Sequence, residues 1–136
     1  MKDEEYMRRA LELAKRARDE GEVPIGAIVV FQEEVLGEGW NRPIAAKDPT
    51  AHAEIQAIRS AASATGNYRL TGATLYVTLE PCDMCVGAMF HARIARVVYG
   101  ATDPKKQVLK NHVKIEGGVL AAECGQILSA FFAAKR

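Results

Sequence analysis

The sequence predicts an α/β protein with three α/β/α layers, in which helices cover both faces of a central mixed sheet of about five strands. Segments with helical periodicity alternate along the chain with short runs of apolar or β-branched residues. The chain has 136 residues, of which 49% are hydrophobic and 26% are charged. This length suits one domain over residues 1–136, and the composition excludes a disordered or collagen-like chain.

The first half of the chain predicts two helices separated by a β-hairpin. Apolar residues recur at helical spacing near the N-terminus, and Gly21 ends that helix. Two β-branched runs with a tight connection follow, and then a stretch with two prolines and no periodicity. The predicted elements are a helix over 3–19, strands over 25–31 and 35–40, a loop over 41–49, and a helix from Thr50, its N-cap, to Gly66.

The second half predicts three strands and two helices. The run from Ala73 to Leu79 is almost continuously apolar, which is typical of a strand covered on both faces. Pro81 stands just ahead of a helix, where a missing N–H is harmless. The predicted elements are strands over 73–79, 94–100 and 113–116 and helices over 82–91 and 120–131. Because sites in such folds lie in the loops after strands, we expect the site there.

Composition also limits location and partners. The longest apolar runs fall far below the roughly 18–20 residues that span a bilayer, and the charged N-terminus lacks the apolar core of a signal peptide. We therefore expect a cytoplasmic protein with no membrane contact. Residues 69–136 carry more basic than acidic side chains, which suits a polyanionic partner. Three cysteines cannot form a disulfide framework.

Four residues of the sequence indicate a catalytic metal site. His52 and Glu54 stand near the start of one predicted helix, and Cys82 and Cys85 stand at the start of another. A catalytic zinc uses three protein ligands and leaves its fourth position to water, so one histidine and two cysteines supply a complete set. Helix N-termini favour the thiolate forms that bind metal. If the two helix starts meet, Glu54 points at the open position.

A glutamate beside such a site can move protons during hydrolysis, which a purely structural zinc site does not require. Each residue alone has a simpler interpretation, since a helical His is often structural and a first-turn Glu often complements the helix dipole. A redox role for Cys82 and Cys85 is disfavoured, because the pair lacks the usual aromatic and Gly-Pro context and has a matching His-x-Glu upstream.

The pattern H-x-E followed by P-C-x-x-C is the signature of zinc nucleobase deaminases. Nearly the whole chain resembles the bacterial tRNA-specific adenosine deaminases. The segments that carry the resemblance are Gly39-Trp40-Asn41-Arg42-Pro43, residues 48–54 (DPTAHAE), Asn67-Tyr68-Arg69-Leu70, residues 74–82 (TLYVTLEPC) and His91-Ala92-Arg93-Ile94.

The resemblance implies a cytidine-deaminase-like fold, a homodimer, and conversion of adenosine to inosine at the wobble position of a tRNA anticodon loop. It makes His52, Cys82 and Cys85 the ligands of one Zn²⁺ per chain and Glu54 the proton shuttle. A zinc-activated water then attacks C6 of an unstacked adenine. The implied substrate contacts are Asn41 with an acceptor such as N7, the amide of Ala53, the backbone of Leu79, Glu80 and Pro81, and Asp103 near the ribose.

The chain departs from the family between its last two predicted strands. Only residues 101–112 connect them, about the minimum for a crossover between parallel strands. Either the link is genuinely shortened, which reduces the substrate wall near Asp103, or residues are missing from the sequence, which changes nothing functionally. A short link also allows the last two strands to pair antiparallel, as in deaminases that act on cytidine.

Two other functions stay open on the sequence. A free-base or nucleoside deaminase for guanine or cytosine would use the same zinc machinery, and the size of the substrate distinguishes it. A non-catalytic, zinc-stabilised module that binds RNA or another partner is the other alternative. Such a module has no need of a carboxylate at position 54, so the presence of Glu54 favours an enzyme.

Overall fold

The computed structural model describes residues 2–104 and 113–135. Helices and strands alternate as predicted. The elements are α1 (Lys2–Asp19), β1 (Gly26–Phe31), β2 (Glu34–Trp40), α2 (Pro43–Ala46), α3 (Ala53–Thr65), β3 (Thr74–Leu79), α4 (Asp83–Ala92), β4 (Arg96–Ala101), β5 (Lys114–Glu116) and α5 (Ala121–Ala134). Within the described ranges, no helix is both long and apolar enough to cross a membrane.

The strands form one mixed sheet in the order β2-β1-β3-β4-β5. β1 is antiparallel to both β2 and β3, whereas β3, β4 and β5 run parallel. The predicted hairpin is confirmed, and its two turn residues, Gln32 and Glu33, have positive φ angles of 48° and 66°. The parallel pairing of β4 with β5 makes the antiparallel alternative wrong. Most of the predicted short link, residues 105–112, lies outside the described residues.

Two buried clusters, one on each face of the sheet, form the core. Helices α3 and α4 pack on one face and helices α1 and α5 on the other, which confirms the predicted three layers. β3 lies in the middle of the sheet, and its four central residues are all buried. This agrees with the prediction of a strand covered on both faces.

Glycines let α3 approach the sheet closely. A Cβ atom at Gly37 would lie 2.4 Å from the backbone nitrogen of Ala61, and one at Gly39 would lie 2.4 Å from the carbonyl oxygen of Ala53. The facing side chains of α3 are correspondingly small, since Ala53, Ala57 and Ala61 are fully buried. Close packing of alanine against glycine therefore fixes the position of α3, whose N-terminus carries His52 and Glu54.

The structure corrects two local predictions. The loop predicted over 41–49 contains the short helix α2, which begins at Pro43. Thr50 is not the N-cap of the next helix, because its hydroxyl donates to Asp48 Oδ1 at 2.7 Å and His52 occupies the N-cap position of α3. The C-terminal prediction is confirmed, since Gly66 ends α3 with a φ of 68°.

Candidate metal centre and active site

Two helix starts bring the predicted metal ligands together. His52 is the N-cap residue of α3 and Cys82 is the N-cap residue of α4, yet neither side chain makes a capping hydrogen bond to its own helix. Both are turned instead toward a shared point, where Cys85 from the first turn of α4 joins them. Partial positive charge at the two helix N-termini favours thiolate at this point.

The ligand atoms have the spacing that zinc requires. His52 Nδ1 lies 3.5 Å from Cys85 Sγ and 3.6 Å from Cys82 Sγ. All three atoms lie within 4.8 Å of one another. A tetrahedral zinc with Zn–S bonds of about 2.3 Å and Zn–N bonds of about 2.0–2.1 Å separates nitrogen from sulfur by about 3.5–3.6 Å. The donor set therefore fits zinc in type and in spacing, and three ligands leave one position for water.

The two thiols have opposite pKa shifts. Hydrogen bonds from Cys85 and His52 lower the pKa of Cys82 to about 3. The pKa of Cys85 is raised, first because it shares a hydrogen bond with Cys82 and then because it is buried and lies close to the Glu54 carboxylate. Cys82 therefore ionises before Cys85. A bound divalent cation requires both sulfur atoms as thiolates, so metal binding to this set releases protons.

Glu54 lies in the first turn of α3 and is only 4% exposed. Its carboxylate helps to raise the pKa of Cys85 through its charge and a hydrogen bond, so Glu54 lies beside the ligand set. A carboxylate held away from bulk water beside a metal site can accept a proton from water and pass it to a substrate nitrogen.

Asn41 and Ala53 join this site through one hydrogen bond. Asn41 follows the end of β2 and is 8% exposed. Its Oδ1 accepts the backbone N–H of Ala53 at 3.1 Å. The amide of Ala53, predicted as a substrate contact, is therefore engaged by Asn41. With Oδ1 accepting from Ala53, the NH₂ group is the donor that the Asn41 side chain can offer to another partner.

The end of β3 forms a second wall. Leu79 and Pro81 flank Glu80, whose backbone N–H donates to the carbonyl of Ala101 at 2.9 Å. The Glu80 side chain accepts the backbone N–H of Asp103 at 2.9 Å. Asp103 is thus linked to the end of β3 through Glu80. The predicted substrate residues lie on three segments: from the end of β2 to the start of α3, at the end of β3, and after β4.

One residue of this region was missed by the sequence argument. Glu22, in the link between α1 and β1, is 2% exposed. Its carboxylate accepts the backbone N–H groups of Ile44 and Ala45 in the first turn of α2. No local pattern could indicate this, because the partners lie more than twenty positions along the chain and α2 was predicted as a loop.

Comparisons with known proteins agree with this geometry. The cytidine and deoxycytidylate deaminase zinc-binding region matches residues 1–101. A tRNA-specific adenosine deaminase of Haemophilus influenzae is 50% identical over 147 aligned positions, which cover 98% of this chain and 85% of the relative.

Solved structures extend the likeness to three dimensions. A structure from studies of A-to-I editing by tRNA:A34 deaminases at the wobble position has a TM-score of 0.87 and 42% identity, covering 91% of this chain and 99% of that one. Guanine deaminase of Bacillus subtilis has a TM-score of 0.69 and 40% identity, over 73% of this chain and 64% of that one. The chain belongs to the zinc-binding family of cytidine and deoxycytidylate deaminases, in the group that contains the tRNA-specific adenosine deaminases.

Proposed function

We propose that residues 1–136 act as a single deaminase domain that hydrolyses adenosine to inosine at the wobble position of a tRNA anticodon loop. The observation that carries the proposal is the buried carboxylate of Glu54 beside a three-ligand zinc set. The near full-length identity to a tRNA-specific adenosine deaminase supports the choice of substrate.

His52, Cys82 and Cys85 would hold one zinc ion. When bound there, zinc acts as a Lewis acid that makes a water molecule nucleophilic at neutral pH. The protein's part is to fix three ligands at two helix starts, so that the fourth coordination position of zinc is left to water. The close packing of α3 on β2 keeps His52 and Glu54 in register with the two sulfur atoms.

Glu54 carries the protons. It accepts one from the attacking water and delivers it to N1 of adenine as the new C6–O bond forms. It then takes the remaining water proton from the C6 hydroxyl and passes it to the exocyclic nitrogen, so that C6=O forms and ammonia leaves as the C6–N bond breaks. Adenosine and water give inosine and ammonia, so no oxidant or reductant is consumed.

Asn41 orients the base. Because its Oδ1 is occupied by the Ala53 N–H, its NH₂ group is the part available to a purine, and N7 is an acceptor. Asp103, held by Glu80, is proposed to lie near the ribose. A base reached by both water and Glu54 must be out of its stack, and an anticodon loop presents such a base.

The partner and setting follow from the substrate. We propose the anticodon stem-loop of tRNA as the macromolecular partner, a homodimer as the assembly, and the cytoplasm as the place of action. The resemblance of the chain to its family supports all three proposals. The excess of basic residues in 69–136 supports the RNA partner alone.

Guanine is the second candidate substrate, because a guanine deaminase shares the fold at 40% identity over 73% of the chain. Guanine also carries N7, so Asn41 alone does not separate the two purines. A non-catalytic RNA-binding module is disfavoured by the buried Glu54 beside the ligands.

The test is a substrate panel for the zinc-loaded protein. Anticodon stem-loop RNA with adenosine at the wobble position, the same RNA with that adenosine moved to the stem, free guanine and cytidine are incubated separately. Mass spectrometry of the products is expected to show inosine from the first RNA alone. Xanthine or uridine, with no inosine from RNA, would contradict the proposal and favour a small-molecule deaminase.

A further inference from the structure

The Glu22 carboxylate is enclosed between the α1–β1 link and α2. Glu22 is 2% exposed, Oε1 accepts the N–H of Ile44 at 3.2 Å and Oε2 accepts the N–H of Ala45 at 2.8 Å. Hydrogen bonds between a carboxylate and the first backbone N–H groups of a helical turn are strengthened by charge. Burial makes their loss costly, because a carboxylate without donors is strongly disfavoured away from water.

These bonds anchor the segment that carries Asn41. The backbone N–H of Asn41 donates to the carbonyl of Ile25 at 3.0 Å, and the N–H of Arg42 donates to the carbonyl of Ala51 at 3.0 Å. Those two bonds hold the start of the segment against β1 and against the approach to α3. Glu22 holds its other end, two residues further along the chain, so the segment is fixed at both ends.

Glu22 and Asn41 also share one open depression of about 410 Å³, lined in part by Ile44 and Phe132. The Asn41 side chain therefore lies at the boundary between this depression and α3, where Ala53 holds its oxygen. A shift of α2 into the depression would carry Asn41 with it, because only Arg42 separates Asn41 from the first residue of α2.

We propose that Glu22 is a positioning residue that, through α2, holds the Asn41 amide where it donates to N7 of the target purine. This inference rests on the proposed function. Glu22 contacts α2 and neither the ligand set nor the base, so its loss acts only through Asn41. A displacement of about 1 Å in a substrate-orienting group costs up to about 100-fold in rate.

The test compares two stem-loop RNAs, one with adenosine and one with 7-deazaadenosine at the wobble position. The second RNA replaces the N7 acceptor by C–H, so it has no bond with Asn41 to lose. Glu22→Ala is expected to lower kcat/KM about 10- to 100-fold on the adenosine RNA and less than about 3-fold on the 7-deaza RNA. Zinc content is expected to stay at one ion per chain.

Variants separate positioning from general destabilisation. Glu22→Gln keeps the shape of the side chain and one acceptor oxygen. It is therefore expected to give a smaller loss of kcat/KM with the same dependence on N7. If Glu22→Ala does not fold, Glu22→Gln provides the test. Asn41→Ala is expected to show the full N7-dependent loss, and Glu22→Ala added to Asn41→Ala is expected to cost little more. Glu34→Gln, an exposed carboxylate at the far end of β2, is the control with no expected effect.

The outcomes are distinct. A wild-type protein that forms no inosine would contradict the proposed function and this inference with it. Wild-type activity together with equal losses from Glu22→Ala on both RNAs would contradict only the positioning role. Additive losses from Glu22→Ala and Asn41→Ala would contradict it as well.

Discussion

Two clusters of titratable side chains in the described part of the chain differ in how their charges are met. The ligand cluster is His52, Glu54, Cys82 and Cys85, and the arginine cluster is Asp3, Tyr76, Arg96 and Glu116. Both join segments that are distant in sequence. Arg96 supplies the cation at the centre of the arginine cluster. The ligand cluster instead surrounds a point at which the chain supplies metal-ligating atoms and no cation.

Arg96 binds both carboxylates of the arginine cluster. Its guanidinium donates to Asp3 Oδ2 at 2.8 Å and to Glu116 Oε1 at 2.8 Å, and the Tyr76 hydroxyl donates to Asp3 Oδ1 at 2.6 Å. These bonds connect α1, β3, β4 and β5. Hydrogen bonding to Arg96 lowers the pKa values of Asp3 and Glu116. Lys114 Nζ, 3.6 Å from Glu116 Oε1, is a second cation beside the cluster. The two carboxylates therefore face two cations of the chain, and the cluster joins four elements without an added ion.

The ligand cluster is balanced only when a cation enters. The pKa of Cys82 is lowered to about 3 and that of Cys85 is raised, so Cys82 ionises first. Metal binding requires both sulfur atoms as thiolates, so the proton of Cys85 leaves when a metal enters. The structural cluster contains its own counter-ions, whereas the cluster built for chemistry leaves its negative charge to be met by an added metal ion. This difference separates the two even though both consist of titratable side chains.

Removing a ligand should have the largest effect. Cys85→Ala leaves one thiol and one imidazole, so we expect zinc content to fall well below one ion per chain and inosine formation to become undetectable. Metal analysis and the stem-loop assay measure both. Cys124→Ala is the matched control, because Cys124 is equally buried but lies in α5. Full zinc occupancy in Cys85→Ala would contradict the ligand assignment.

Removing the proton carrier should cost less and spare the metal. Glu54→Gln keeps the volume of the side chain but cannot accept a proton, so we expect kcat to fall about 10²- to 10⁴-fold with zinc retained. Single-turnover rates and metal analysis test this, with Glu34→Gln as the control. Undiminished turnover in Glu54→Gln would remove Glu54 from the mechanism.

Displacing α3 should weaken the ligand cluster indirectly. Gly39→Ala places a Cβ 2.4 Å from the backbone of Ala53 and Ala57, so α3 must shift. We expect a loss of about 1–3 kcal/mol in the free energy of unfolding and a reduced zinc affinity. Urea unfolding and zinc titration measure the two effects.

Gly87→Ala is the control for Gly39→Ala, because nothing lies within 4 Å of a Cβ at Gly87. Within α4 this change is expected to stabilise the protein by about 0.5–1 kcal/mol. Equal stability losses at Gly39 and Gly87 would show that close packing of α3 is not what Gly39 provides.

Breaking the arginine cluster should affect stability but leave activity unchanged. Asp3→Asn is expected to cost about 1 kcal/mol at neutral pH, because the pair is partly exposed. The folded pKa of Asp3 is lowered from an unfolded value of about 3.9, so its stabilisation is complete above about pH 5 and is lost as pH falls through the folded pKa.

Unfolding free energies of the wild type and Asp3→Asn, measured from pH 7 down to pH 3, are therefore expected to converge toward acid pH. A difference that stays constant over this range would assign the Asp3 contribution to something other than its charge. Loss of deaminase activity in folded Asp3→Asn would contradict the structural assignment of the arginine cluster.

The sequence predicted what depends on local pattern and on residue chemistry. Alternating periodicities indicated the layers, and the C-x-x-C and H-x-E spacings indicated the ligands and Glu54. It failed at Thr50, where a neighbour two residues away competes for the hydroxyl. Thr50 is a good N-cap residue by type, but Asp48 binds its hydroxyl and His52 takes the N-cap position.

Non-local contacts explain the other omissions. Helix α2 has four residues, too few for periodicity to show, and Glu22 in another link holds its first turn. Arg96 was indistinguishable by sequence from other basic residues, because its partners come from α1 and β5. Each of these features exists only once the sheet has brought its segments together.

The most direct test of the central claim is the oxygen content of the product when the zinc-loaded protein acts on the stem-loop RNA in H₂¹⁸O. Hydrolysis through the ligand cluster predicts inosine at the wobble position with one ¹⁸O at C6, detected by mass spectrometry of the digested RNA. No inosine, or inosine at that position without the heavy oxygen, would contradict the account.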